Sequence, residues 1–193
     1  MKQIAIVLLL TATAALAQTD VSKLINGNQA SPESIASIHY AQGQIIWIFY
    51  HAPSAKGRHI FNGAGALQPD GSVWRLGADN ATILHTDADL DIGGLAVPKG
   101  EYTLYIDLDK GAWKLIVNKN LKDARGRSIW GINMDGSTTD NPSAELGRVP
   151  MTMGKPPAPV ETLKIALVRN GDKGGKIEIA WENVTASVPF TVK

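Results

Sequence analysis

The sequence predicts an all-β fold: a single antiparallel β-sandwich, jelly-roll-like or Ig-like, preceded by a cleaved signal peptide. Three observations predict it. The 19 glycines and 10 prolines fall at short intervals and leave runs of roughly five to eight residues between them, the spacing of sandwiches and barrels. Within those runs apolar residues recur at every second position, the period of a strand with one buried face. No heptad, internal repeat or strongly helical window competes with that pattern.

The leader comes first. Lys2 precedes an apolar run over residues 4–10 that continues through Ala12, Ala14, Ala15 and Leu16, and Ala15-Leu16-Ala17 is a small-x-small cleavage site. The stretch is shorter than the ~20 residues that span a bilayer, and Thr11 and Thr13 interrupt it. Residues 1–17 therefore read as a signal peptide, 18–34 as an N-terminal extension with room for one short helix capped by Ser31-Pro32-Glu33, and 35–193 as the sandwich domain. The expected product lies in the periplasm or outside the cell, with no transmembrane segment after cleavage. Without a cysteine there is no lipid anchor, disulfide, thiol nucleophile or thiolate metal site. Losing Lys2 brings 19 basic and 18 acidic side chains to balance, which gives no electrostatic case for nucleic acid or anionic membranes.

The strands follow in order. Residues 45–50 (Ile-Ile-Trp-Ile-Phe-Tyr) are β-branched and aromatic on both faces, as in a central strand, and the turn at 41–44 pairs them with 35–40. From 81 to 92, Thr82, Leu84, Thr86, Ala88, Leu90 and Ile92 share one parity, and His85, Asp87, Asp89 and Asp91 the other. After the turn at 97–100, Tyr102, Leu104, Ile106 and Leu108 form the next inward row, and Trp113, Leu115 and Val117 the one after it. Leu163, Ile165 and Leu167 form a later row, and a loop at 170–175 leads to Ile177, Ile179 and Trp181. Residues 187–192 make the last strand. Between 118 and 159 only 129–132 and 149–151 read as packed, and a connection that long is either functional or loosely ordered. Of the five tryptophans, Trp47, Trp113 and Trp181 are expected in the core. Trp74 and Trp130 sit in loop contexts that either line a cleft or plug an end of the sandwich.

Residues 50–61 (Tyr-His-Ala-Pro-Ser-Ala-Lys-Gly-Arg-His-Ile-Phe) and 73–82 (Val-Trp-Arg-Leu-Gly-Ala-Asp-Asn-Ala-Thr) resemble two blocks of the bacterial DUF2911 family. Ile92-Gly93-Gly94, Val97-Pro98, Asn118-Lys119, Trp130-Gly131, Arg148-Val149 and Ala180-Trp181-Glu182 continue the resemblance in order from about residue 31 to 192. The pattern departs at Asp79-Asn80, where the family more often carries Asn-Glu, so the acid here stands at Asp79. The resemblance implies an exported, β-rich single domain. The family's function is unassigned, and the resemblance implies no chemistry.

The same two blocks concentrate the candidate ligand-binding residues: His51, Lys56, Arg58, Trp74, Arg75, Asp79 and Asn80. Arginine presents a planar fork that suits carboxylate or phosphate and stacks on aromatic rings. Two arginines near Trp74 thus suit an anion pocket or a sugar subsite. Alternatively Arg58 or Arg75 pairs with Asp79 and pins two loops together.

Other chemistries find less. His51 and His59 lie eight apart across a loop and match no compact zinc spacing. Asp87-x-Asp89-x-Asp91 has the alternation of a calcium loop, but Ile92 stands where glycine is needed and Pro98 where the bidentate glutamate belongs. These acids are expected along one solvated strand face instead. No Gly-x-Ser-x-Gly, P-loop or dinucleotide fingerprint occurs. Carboxylate pairs of glycosidase type depend on separation in space, which chain spacing does not give.

The expectation is a non-catalytic ligand-binding or structural module of the cell envelope, without metal or cofactor, whose partner is a small polar ligand or a glycan. The alternatives are a hydrolase of glycans or small polar substrates built on the 50–82 loops, and an interaction module using 118–159 as its contact surface.

Overall fold

The computed structural model describes residues 31–122, 129, 131–133 and 137–193. The leader, nearly all of the N-terminal extension and Trp130 lie outside the described residues. Two antiparallel sheets pack face to face. The first holds β1 (Glu33–His39), β2 (Ile45–His51), β3 (Val73–Trp74), β4 (Thr82–Thr86), β7 (Gly100–Asp107), β8 (Lys114–Asn118) and β9 (Glu145–Pro150). Its order is β1-β2-β4-β7-β8-β9, with β3 beside β7. The second holds β5 (Leu90–Ile92), β6 (Leu95–Val97), β10 (Thr152–Gly154), β11 (Val160–Asn170), β12 (Gly174–Glu182) and β13 (Val184–Val192). There β13 is central: β12 lies along one side of it, and β10 and β5 pair with it on the other. Among the described residues the only helical element is a 3₁₀ turn at Pro142–Ala144, capped by the Asn141 side chain, which accepts from the Ser143 amide.

The inward rows meet in one core. Ile46, Ile48, Leu84, Leu104, Ile106 and Leu115 from the first sheet face Leu163, Ile177, Ile179, Ala186 and Val188 from the second, all essentially buried. Burial of each large aliphatic side chain contributes about 1.5–3 kcal/mol. At one end of the sandwich Phe61 sits edge-on to Trp113, Trp74 and Trp181, with ring centroids 4.7, 5.3 and 5.7 Å away, and Trp74 stacks on Trp181 at 5.7 Å.

Four expectations need correction. The alternating row over 81–92 is two strands in different sheets. The chain leaves β4, turns at Asp87–Asp89 and enters β5 with its inward parity intact. The three aspartates therefore do not share a strand face; each accepts from a backbone amide. Asp87 accepts from Ile45, Asp89 from Lys99 and Asp91 from Gly94. Trp47 is not in the core: it lies on the outer face of β2, stacked on His85 with ring centroids 4.9 Å apart. Ser31 and Pro32 lead directly into β1, so the expected helix does not extend to Glu33 and Ser34.

The 118–159 connection is also more ordered than expected. It supplies β9 and β10, and its described residues between 119 and 141 cross the outer face of the first sheet. There Ile129 closes over Ala81, Tyr105 and Ile116 in a small second core. Asn118, fully buried, ties the crossing down. Its Nδ2 donates to Asp140 Oδ1 and to the Asn141 carbonyl, each at 2.9 Å, and its Oδ1 accepts from the Asn120 amide at 2.9 Å.

Candidate functional site

One edge of β7 is paired first by β3 and then by β4, and between them the chain leaves the sheet over residues 75–81. This excursion is tightly held. The Trp74 indole N–H donates to the Gly77 carbonyl at 3.3 Å, the Thr82 hydroxyl to the Leu76 carbonyl at 2.6 Å, and the Ala78 amide to the His51 carbonyl at 3.2 Å. Leu76 and Asp79 take positive φ of 55° and 53°, although Leu76 is fully buried. Such strain costs on the order of 1–3 kcal/mol per residue and persists only where the surroundings over-determine it. At Gly77, with φ +155°, an added Cβ would lie 2.9 Å from the His51 carbonyl oxygen, so close approach and backbone conformation both require glycine.

Beside the excursion lies a groove of about 990 Å³. Its described walls come from residues 53–58 and 67–78 and from Ile132, Ser137 and Thr138, and the stacked Trp74 and Trp181 form part of its lining. Of the residues singled out in the sequence, Lys56, Arg58, Trp74 and Arg75 line it. His51, Asp79 and Asn80 do not. His51 is buried behind the loop, with Nε2 3.8 Å from Glu33. Asp79 holds the crossing segment through its carbonyl, which accepts from the Gly131 amide at 3.0 Å.

Neither arginine forms the expected ion pair. Arg58 is exposed and turns back on its own loop, donating Nε to the Ala55 carbonyl at 2.9 Å and Nη2 to the Ser54 carbonyl at 2.7 Å. Arg75 packs its aliphatic stem against Gly131, where a Cβ would meet its Cδ. Its Nε and Nη1 are buried, and among the described residues they have no hydrogen-bond partner. Burial pulls the guanidinium below its ordinary pKa, and the nearby Asp79 carboxylate partly offsets this without touching it. A cation sheltered from water with open donors carries an unmet desolvation cost that an anion would relieve. With Lys56 and Arg58 also in the lining, every charged side chain of the described lining is cationic; no carboxylate or histidine lines the groove among the described residues.

The histidines and acids are occupied elsewhere. His59 uses both ring nitrogens, one on the Asn62 carbonyl at 2.7 Å and one on Glu182 at 3.2 Å, and those contacts raise its pKa. His85 lies between Asp87 and Glu101. Among the described residues no group of three His, Asp or Glu is placed to hold a metal.

Sequence reasoning missed an anchoring network on the outer face of the first sheet. Arg148 pairs with both oxygens of Glu145, with Asp107 at 2.9 Å and with Asp140 at 3.6 Å. Desolvation and the Glu145 carboxylate push Asp140 above the usual carboxylate range, while Arg148 holds Glu145 below it. Two carboxyls pushed apart in this way resemble an acid–base couple. These two, however, are spent on Asn118 and Arg148 and do not line the groove. The signal in the sequence was the Arg148-Val149 block. Gln68, Ser72 and Thr138 also line the groove and carried no local signal, and Trp181, read in the sequence as a core residue, lines it too.

No curated protein and no solved structure matches the chain. Residues 31–190, which include every wall of the groove, match the family described as a protein of unknown function, DUF2911, and the chain belongs to that family.

Proposed function

We propose that the protein is an exported, non-catalytic binding module of the cell envelope whose groove takes a small anionic ligand through Arg75. The observation that carries this reading is the Arg75 guanidinium: two of its nitrogens are buried and without partner among the described residues, on the wall of a groove that also gathers Lys56 and Arg58. The strained turn that follows it supports the reading, because Leu76 and Asp79 fix the backbone before any ligand arrives. Binding is favoured over hydrolysis because neither a carboxylate nor a histidine lines the groove among the described residues, which leaves no carboxyl or imidazole there to serve as general acid or base. Export rests on the leader read in the sequence.

A thermal-shift series with inorganic phosphate, succinate, citrate and octanoate tests the reading on the protein lacking residues 1–17. A ligand present at 100 times its Kd stabilises by about 2.7 kcal/mol, or about 5–10 °C for a domain of this size. The shift is expected to saturate and to disappear in Arg75→Ala while the circular dichroism of the unliganded variant stays unchanged. No stabilisation by any of the four anions would refute the proposal.

A further inference from the structure

Resting on that anion-binding reading, we infer that the ligand is an amphiphilic anion: a carboxylate or phosphate head on an apolar body, rather than a neutral glycan or a bare inorganic ion. Size is the first argument. A groove of about 990 Å³ falls at the upper end of the range that encloses drug-sized ligands, ~300–1,000 Å³. Phosphate or acetate beside Arg75 would leave most of it to water.

The second argument is what the lining offers once the protein's own hydrogen bonds are made. Both indole N–H groups are already used, Trp74 on the Gly77 carbonyl and Trp181 on the Glu161 carbonyl at 3.2 Å. The tryptophans, each 2 % exposed, therefore bring no free N–H donor to the lining. Leu67, Val73 and Ile132 extend this apolar lining, and Leu67 stands 44 % exposed although it is a large aliphatic residue. Sugar hydroxyls need acceptors as well as donors, and the acceptors in the described lining are neutral ones, on side chains such as Gln68, Ser72 and Thr138. Among the described residues the charged lining consists of donors only: Arg75, the Lys56 ammonium and what Arg58 has left after its two loop carbonyls. Cations at one region and apolar surface over the rest fit a molecule divided in the same way.

The test compares acetate, inorganic phosphate, octanoate, octyl phosphate and 1-octanol by titration calorimetry, with tryptophan fluorescence reporting on Trp74 and Trp181. Each methylene that enters the groove is worth about fourfold in affinity, so octanoate or octyl phosphate is expected to bind at least about 100-fold more tightly than acetate or phosphate. Whichever of the two amphiphiles binds more tightly identifies the head group. Octanol, which lacks the charge, is expected to bind at least about tenfold more weakly than octanoate. Arg75→Gln is expected to remove that preference for charge. Leu67→Ser, a neutral change at a position 44 % exposed, is expected to weaken both amphiphiles about tenfold and leave phosphate unchanged.

Equal affinity for phosphate and octyl phosphate, both lost in Arg75→Gln, overturns the apolar body and leaves the anion site standing. Octanol and octanoate binding alike, indifferent to Arg75, overturns the anion site and this inference with it. No binding by any of the five compounds overturns both.

Discussion

Replacing Asn118 with alanine should detach the crossing segment from the first sheet. The side chain is fully buried and makes three hydrogen bonds, each at 2.9 Å, to Asp140, Asn141 and Asn120. The two backbone bonds are worth about 1 kcal/mol each, and a buried acceptor left without its donor costs about 1–3 kcal/mol more. That last term applies to Asp140, whose side chain is 6 % exposed. The expected loss is therefore about 3–5 kcal/mol, or roughly 6–20 °C in Tm. Urea unfolding followed by far-UV circular dichroism measures it, and pH gives a second axis. Asp140 is already raised above its ordinary value by burial and Glu145, and Asn118 works against that shift. A carboxyl with a raised folded pKa contributes stability that is fully present below its unfolded pKa and lost as pH rises through the folded one. The deficit of the variant should therefore be larger at pH 8 than at pH 4. A loss below about 1 kcal/mol, or a deficit independent of pH, would show that the crossing segment does not depend on this anchor.

Three further substitutions probe separate parts of the fold. Gly77→Ala must place a Cβ 2.9 Å from a backbone oxygen at φ +155°; it should cost about 2–4 kcal/mol in chemical denaturation, against about 1 kcal/mol for Gly43→Ala, whose site is open. Trp181→Ala removes a core member of the aromatic cluster and should cost about 3–5 kcal/mol, whereas Trp47→Ala, on the outer face, should stay below about 1.5 kcal/mol; equal losses would contradict the register of β2. His59 has a pKa raised by the Asn62 carbonyl and by Glu182, so its contribution is fully present below about pH 6.5 and is lost as pH rises through the raised folded value. Glu182→Gln should flatten the pH dependence of Tm across that window, and an unchanged slope would count against the pairing.

The sandwich was legible because its inward rows are regular. Leu104, Ile106, Leu115, Ile177 and Ile179 all face the core as their parity predicts. Parity fails in two situations. In β2 both faces are apolar, so alternation cannot say which is inside, and Trp47 fell on the wrong side. Across 86–90 the chain changes sheets without changing parity, and Thr82 through Ile92 therefore read as one strand. The site was legible in part. Lys56, Arg58, Trp74 and Arg75 were found because two local blocks carry them. Thr138 and Trp181 reach the groove only through folding, as does Asp140 in reaching Arg148, and no local spacing encodes either approach. The Arg75–Asp79 pairing considered from the sequence did not form: Asp79 is tied to Gly131 through its backbone carbonyl, and Arg75 Nε and Nη1 are buried without a partner among the described residues.

The central place of β13 bears on how this protein is made. Ile92 pairs with Phe190 and Leu90 with Val192, so β5 has no neighbour on that side until about a hundred further residues have been synthesised. Sequence separation of this kind slows folding, because the loop must close before its contacts stabilise anything. The second sheet cannot be completed while the C-terminal strand is still on the ribosome, whereas every strand of the first sheet ends by Pro150. The topology thus makes the closing of the core one of the last events in the protein's synthesis.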